Sequence, residues 1–344
     1  MAVGAVALVA AISAGVAWRL LDDTDEGVVV RADAARESTR TLEALAPNPA
    51  PVFGGAGLAD VAAAPAARQA TPVELPGFDV NRALTTVRDL EGFGPRGGGS
   101  PAEAKAATYL RDRLAQLGLD ARIEEFPLPN GTTSRNVVAR IAGSTDTLFV
   151  LGAHMDTKPP SPGANDNASG CGALLEIARL LVADPPLPTV EVVFFGSEET
   201  SGGDPNGHHY GSRYRVSQMP AAERAKTAGM ISIDMIGYGP GFHSRTMGRG
   251  SQMLSDMLLA RAKATGVRMT YLKDPGASGW SDHEAYELAG IPAAWIEWRD
   301  DPVYHTAGDT SAHLSSAKVK TAGQLVLEFV RGLDTGALGE LTGR

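Results

Sequence analysis

Residues 189–195 read Thr-Val-Glu-Val-Val-Phe-Phe, closed by Gly196 and followed at once by Ser197, Glu198 and Glu199. A strand that is apolar on both of its alternating faces must be covered on both, the condition of a central strand with helices above and below. The segments on either side fit such a sheet. Ser100 followed by Pro101 is a cap and first-turn signal, with Ala106, Tyr109, Leu110, Leu114 and Leu117 at helical spacing and a stop at Gly118. Strands are expected over 121–126, 134–141 and 148–151, then a helix over 168–182. Beyond 189–195 the alternation continues with strands over 230–236, 268–271 and 293–297. The helices between and after them are expected over 251–265, 282–288 and 317–329. This order predicts an α/β fold, a three-layer α/β/α sandwich around a mixed, mainly parallel sheet.

The chain has 344 residues, of which 43% are hydrophobic, enough for one substantial core. Its formal charge of -9, with no Lys/Arg block, argues against nucleic-acid binding. A single cysteine, Cys171, excludes an intramolecular disulfide and a cysteine-rich zinc knot. Residues 2–18 carry no charge and are rich in Ala, Val and Gly. Residues 1–20 therefore read as a signal peptide or, with no clear small-residue cleavage site, an N-terminal membrane anchor. Either implies an extracytoplasmic protein, secreted or membrane-anchored. Residues 21–76 are Ala-, Pro- and Gly-rich, a composition that cannot repay the entropy of ordering, and read as a linker. The catalytic domain is expected over 77–344.

Acidic residues and histidines form separate clusters, His154 and Asp156 in GAHMDT, Asp166 in GANDNASG, Glu198 and Glu199 in GSEE, Asp234 in IDMIG, and His305 beside Tyr304 in YHTAGDT, and of these His154, Glu198, Asp234 and His305 fall just after or near the ends of expected strands. Ligands of α/β sheets collect at strand carboxyl ends. Imidazole and carboxylate together suit divalent metals. His154 and Asp156 are two apart in extended chain, which makes one a ligand and the other its orienter. Asp166 is placed to bridge two cations or to cap a turn, with Asn165 and Asn167 as turn residues. Of the adjacent Glu198 and Glu199, one can bind metal while its neighbour moves a proton. Asp234 lies among Ile233, Met235 and Ile236, where an unpaired carboxylate is costly and a cation would neutralise it. His208, His209, His243 and His313 stand in polar or glycine-rich contexts and read as ordinary residues, and His283 as structural or pocket-lining. Residues 201–210 and 238–250 are either a pocket rim or plain surface loops, and Trp280 is a candidate pocket wall.

Taken in order, GAHMDT, GANDNASG, GSEE, IDMIG, SDHEAY and YHTAGDT resemble the zinc aminopeptidases of metallopeptidase family 28, a group containing bacterial leucyl-aminopeptidase-like enzymes. The likeness covers roughly Phe78 to Leu333. It implies a zinc-exopeptidase-like sandwich holding two Zn2+ per chain. His154 and Asp234 would be terminal ligands of one ion, Glu199 and His305 those of the other, and Asp166 the bridge. It further implies Glu198 as general base toward a metal-activated water, Asp156 as orienter of His154, Tyr304 as oxyanion partner, and a cis Asp166–Asn167 peptide. The substrates implied are peptides with a free N-terminus. Glutaminyl-peptide cyclotransferases and other amidohydrolases share this fold, and a noncatalytic receptor-like domain is the remaining alternative. The intact ligand set and Glu198 weigh against that last one.

Overall fold

The computed structural model describes residues 77–199 and 207–343. The expected signal or anchor segment and the linker lie outside them, as do residues 201–206 of the expected rim. Among the described residues no helix is long and apolar enough to cross a membrane.

Eight strands form one sheet: β1 (Arg122–Pro127), β2 (Thr133–Ile141), β3 (Leu148–His154), β4 (Thr189–Phe195), β5 (Thr227–Ile233), β6 (Gly241–Thr246), β7 (Thr270–Lys273) and β8 (Ala293–Arg299). Their spatial order is β1-β2-β4-β3-β5-β8-β6-β7. The four central strands, β4, β3, β5 and β8, run parallel. β1, β2 and β6 join antiparallel to their inner neighbours, and β7 pairs parallel with β6.

The helices are α1 (Val80–Glu91), α2 (Pro101–Gln116), α3 (Gly170–Ala183), α4 (Tyr210–Gln218), α5 (Ala221–Lys226), α6 (Met253–Ala264), α7 (His283–Leu288), α8 (Ser316–Arg331) and α9 (Thr335–Thr342). The Ser100 side chain caps α2 by accepting from the Glu103 N–H.

The unbroken apolar character of the inner strands has the expected cause. Along β3, Phe149, Leu151 and Ala153 enter the larger core with α1, α2, α3, α6 and α8, whereas Leu148 and Val150 enter a second core with Met219 and with Ala285 and Tyr286 of α7. Alternate residues thus serve opposite faces, and the molecule is the three-layer sandwich with a mixed sheet whose centre is parallel.

Differences from the sequence reading are local. β3 runs three residues further, to His154, and β5 stops at Ile233, one residue before Asp234. The segment read as a rim loop over 238–250 contains β6, a strand whose polar residues Ser244, Arg245 and Thr246 are buried. Helices α1, α4, α5 and α9 had no counterpart in the sequence reading.

Candidate metal centre

Because β4, β3, β5 and β8 are parallel, their carboxyl ends open on one edge of the sheet. His154 is the last residue of β3, Glu198 and Glu199 follow β4, and Asp234 follows β5. The chain turns sharply there. Five non-glycine residues take left-handed backbone angles among the described residues: Ser197 (φ 51°), His209 (55°), Met235 (55°), Asp300 (72°) and His305 (58°). All five flank or line the cavity at this edge. Side chains pay for that conformation in steric strain, and sites that need a fixed geometry are where it is retained.

Asp166 lies between β3 and α3, in a single turn over Ala164–Ser169 that contains the cis Asp166–Asn167 peptide. Gly163 (φ 63°) enters this turn where a Cβ would collide with the Thr157 methyl and the Asp166 carbonyl. Asp309 holds the turn from behind, its carboxylate accepting the Asn165 N–H at 2.6 Å and the Asp166 N–H at 3.1 Å. Asn165 accepts the Gly237 N–H at 2.8 Å, and the Asn167 side chain donates to the Ile233 carbonyl at 2.9 Å, tying the turn to the end of β5. Arg96 is fully buried and, among the described residues, makes no ion pair with a carboxylate. Its guanidinium donates to the carbonyls of Leu90, Met155, Pro162 and Gly163 at 2.7–3.0 Å, fixing the loop between His154 and Asp166.

The expected ligands meet. His154 Nε2 lies 3.1 Å from Asp166 Oδ1 and 3.3 Å from Asp234 Oδ1, while His305 Nε2 lies 3.1 Å from Asp166 Oδ2 and 3.0 Å from Glu199 Oε1. Asp166 therefore faces one group with each oxygen. Glu198 Oε2 is 4.0 Å from His154 Nε2. Two clusters with ligand atoms close enough to surround an ion result: His154, Glu198 and Asp234, and Asp166, Glu199 and His305. Asp234 Oδ2 accepts the Ser281 hydroxyl at 2.8 Å, but its buried Oδ1, which faces His154 Nε2 at 3.3 Å, makes no well-formed hydrogen bond among the described residues. A buried acceptor left unsatisfied costs about 1–3 kcal/mol, more when charged. Burial and the adjacent Asp166 charge push the Glu199 carboxyl well above its ordinary value. Burial would also raise Asp166, but hydrogen bonds from both imidazoles hold it below the usual range. An orphaned carboxylate oxygen and mutually repelling buried acids, mixed with imidazole nitrogens, fit a pair of divalent cations.

Asp156 stands behind this layer. The hydrogen bond at His154 Nδ1 goes to the Asp156 main-chain carbonyl at 3.2 Å, with the nearest carboxylate oxygen at 3.5 Å. Its carboxylate instead accepts the N–H groups of Glu198 and Glu199 at 3.0 and 3.2 Å. The cavity in front holds about 490 Å³, a volume suited to a small substrate. Tyr304 lines it with its ring stacked on His305 at 3.6 Å between centroids.

His208 and His209, which the sequence made ordinary, also line it. His209 is buried, with Nε2 3.0 Å from Glu198 Oε1 and Nδ1 3.5 Å from Glu284 Oε2. Burial would lower this imidazole, but the two carboxylates raise it to about 10. The far wall is built on Arg245, which pairs with Asp274 at 2.8 Å and Glu297 at 2.6 Å and packs on the rings of Trp280 and Trp295. Trp280 is thus the pocket wall the sequence offered.

The family model of peptidase family M28 matches residues 136–330, a span that includes every one of these candidate ligands. The chain belongs to peptidase family M28. Within M28 it is 29% identical over 212 residues to aminopeptidase YwaD of Bacillus subtilis, covering 58% of this chain and 44% of that one. It is 30% identical over 245 residues to leupeptin-inactivating enzyme 1 of Streptomyces exfoliatus, covering 69% and 51%. The chain spans about half the length of the curated relatives it matches. Two solved structures from Bacteroides thetaiotaomicron, one described as a leucine aminopeptidase precursor and one as a glutaminyl cyclase bound to N-acetylhistamine, are equally similar. Each has 26% identity and a TM-score of 0.68, covering 76% of this chain and 100% of its own. The fold is common to them and to this chain.

Proposed function

We propose that this M28 chain is a dizinc aminopeptidase that hydrolyses the N-terminal peptide bond of peptides carrying a free amine. The observation that carries the reading is Asp166, whose two oxygens each face a different histidine, so that two sets of nitrogen and oxygen donors share one carboxylate. His154, Asp166 and Asp234 would hold one zinc ion, and Asp166, Glu199 and His305 the other. When bound, such a pair acidifies water and polarises a carbonyl.

The remaining steps belong to the chain's own groups. Glu198 takes the proton of the attacking water and returns it to the departing amine as the peptide bond breaks. The Tyr304 phenol, at the rim beside His305, donates to the oxygen that gains charge when the carbonyl becomes tetrahedral. The acidic lining of the cavity, which includes Asp300 and Asp301, favours the substrate's ammonium group, Glu297 there being taken up by Arg245. Residues 1–20 would deliver the protein out of the cytoplasm, residues 21–76 would link, and residues 77–344 would form the catalytic domain. The charge-free run over 2–18 supports export.

The second reading is cyclisation of N-terminal glutamine, favoured by the equal similarity to the structure described as a glutaminyl cyclase. Cyclisation needs no attacking water, and two complete donor sets beside a buried carboxylate support hydrolysis over it. Free-amine, N-acetylated and N-terminal glutaminyl peptides given to the zinc-loaded full-length protein, with product masses recorded, test the choice. Cleavage of only the free-amine peptides supports the aminopeptidase. Loss of ammonia from the glutaminyl peptide without cleavage establishes the cyclase instead.

A further inference from the structure

We infer that His209 is a positioning residue for Glu198, holding one carboxylate oxygen so that the other faces the metal ligands and the substrate. The inference rests on Glu198 being the general base, as proposed above. Glu198 offers two chemically equivalent oxygens, and the structure makes them different. Oε1 is 3.0 Å from His209 Nε2, whereas Oε2 points toward His154, 4.0 Å from its Nε2. The oxygen engaged by His209 is occupied, and Oε2 is left as the one free to exchange a proton.

His209 is itself held from several sides. Its main chain is left-handed (φ 55°), its N–H donates to the Glu198 carbonyl at 2.8 Å, and the next N–H, of Tyr210, donates to the Ser197 carbonyl at 2.9 Å. The segment entering α4 is thereby pinned to the loop that carries Glu198 at two successive residues. On its far side the imidazole meets Glu284, whose carboxylate accepts the Gly279 N–H at 2.6 Å and is paired with Arg213 at 2.5 Å. His208 packs edge-on against the ring, 4.1 Å between centroids. The imidazole thus spans two carboxylates, one anchored by the protein and the other poised for proton transfer. Glutamate has three rotatable side-chain bonds, and a base that wanders loses turnover without losing substrate affinity.

The test is a double-mutant cycle in zinc-loaded, full-length protein with an aminoacyl anilide, combining His209→Leu with Glu198→Gln and adding His209→Gln, whose amide keeps a donor near the position of Nε2. His209→Leu is expected to lower kcat about tenfold or more, with KM within about twofold and zinc content unchanged, and to lower Tm as well, since it leaves two buried carboxylates without their shared partner. His209→Gln is expected to recover most of the loss, and His209→Leu to add nothing once Glu198 is Gln. Wild-type kcat in His209→Leu, an effect confined to KM, no rescue by Gln, or an undiminished effect in the Glu198→Gln background would each overturn the inference. Near-normal turnover in Glu198→Gln alone would instead remove the general-base reading on which it stands. Should His209→Leu bind less zinc, His209→Asn, whose shorter amide stops short of the carboxylate, takes its place in the same cycle and is read by the same outcomes.

Discussion

The carboxylate of Asp156 accepts the main-chain N–H of Glu198 at 3.0 Å, so the residue assigned to proton transfer is held by its backbone from beneath the metal layer. The second oxygen of Asp156 does the same for Glu199 at 3.2 Å. One buried carboxylate therefore sets the orientation of both acids after β4. Asp156→Asn has only one acceptor atom to offer two donors, and its amide NH2 would face an N–H. It is expected to lower stability by about 1–3 kcal/mol and to reduce kcat while zinc remains bound. Thermal unfolding, metal analysis and steady-state kinetics on the same preparation check the three parts, and a variant with unchanged kcat would leave Asp156 no part in placing Glu198.

Glu198→Gln keeps size and main-chain hydrogen bonding but cannot accept a proton. Turnover should fall by roughly 10²–10⁴-fold, the usual contribution of a positioned base, with two zinc ions still bound. Metal content measured beside kcat separates this from simple loss of the site.

Asp234 has a buried oxygen that makes no well-formed hydrogen bond among the described residues and faces His154 Nε2 at 3.3 Å. Asp234→Ala is expected to reduce bound zinc from two ions to one, as read by metal analysis after dialysis. Zinc should also stabilise the chelated protein, since a ligand of the folded state at a hundred times its Kd adds about 2.7 kcal/mol. A Tm that does not rise on adding zinc would contradict both assignments.

Glu103 gives a pH signature away from the metal layer. Burial pushes its carboxyl from the ordinary 4.5 up to about 8, although it accepts from the Ser134 hydroxyl and the Gly99 N–H. The folded protein therefore holds a proton that the unfolded chain has released. The contribution to stability is complete below pH 4.5 and is lost as pH rises through 8. Glu103→Gln cannot ionise, so the stability of wild type relative to Glu103→Gln should decline between those limits and level off above them. Denaturant titrations at several pH values measure it, and a constant difference would show that Glu103 ionises normally.

The central sheet and the gathering of the eight candidate residues at one of its edges could be read from sequence for a common reason. Both are local patterns: β4 is apolar without interruption, His154, Glu198, Glu199 and Asp234 stand at or within a few residues of strand ends, and Asp166 and His305 lie in short motifs of their own. What escaped depends on long-range pairing. Strand β6 looks like a loop because Arg245 is polar, and it is buried only through Asp274 and Glu297 from elsewhere in the chain. Helix α4 has no apolar stripe: its buried Arg215 is paired with Glu191 of β4 at 2.7 Å. Arg96, Asp309 and His209 sit in segments whose composition is that of loops, and their partners lie elsewhere in the chain: Arg96 reaches Met155, Pro162 and Gly163, Asp309 reaches Asn165 and Asp166, and His209 reaches Glu198 and Glu284. Helix α1 is the exception, since Ala83, Thr86, Val87 and Leu90 are buried at helical spacing that the sequence does display.

The most direct measurement is a zinc titration of the chelated full-length protein, with aminoacyl-anilide hydrolysis recorded at each addition. Two donor sets sharing Asp166 predict activity that climbs and levels at two equivalents of zinc per chain. A plateau at one equivalent, or hydrolysis that persists without metal, would contradict a dizinc centre.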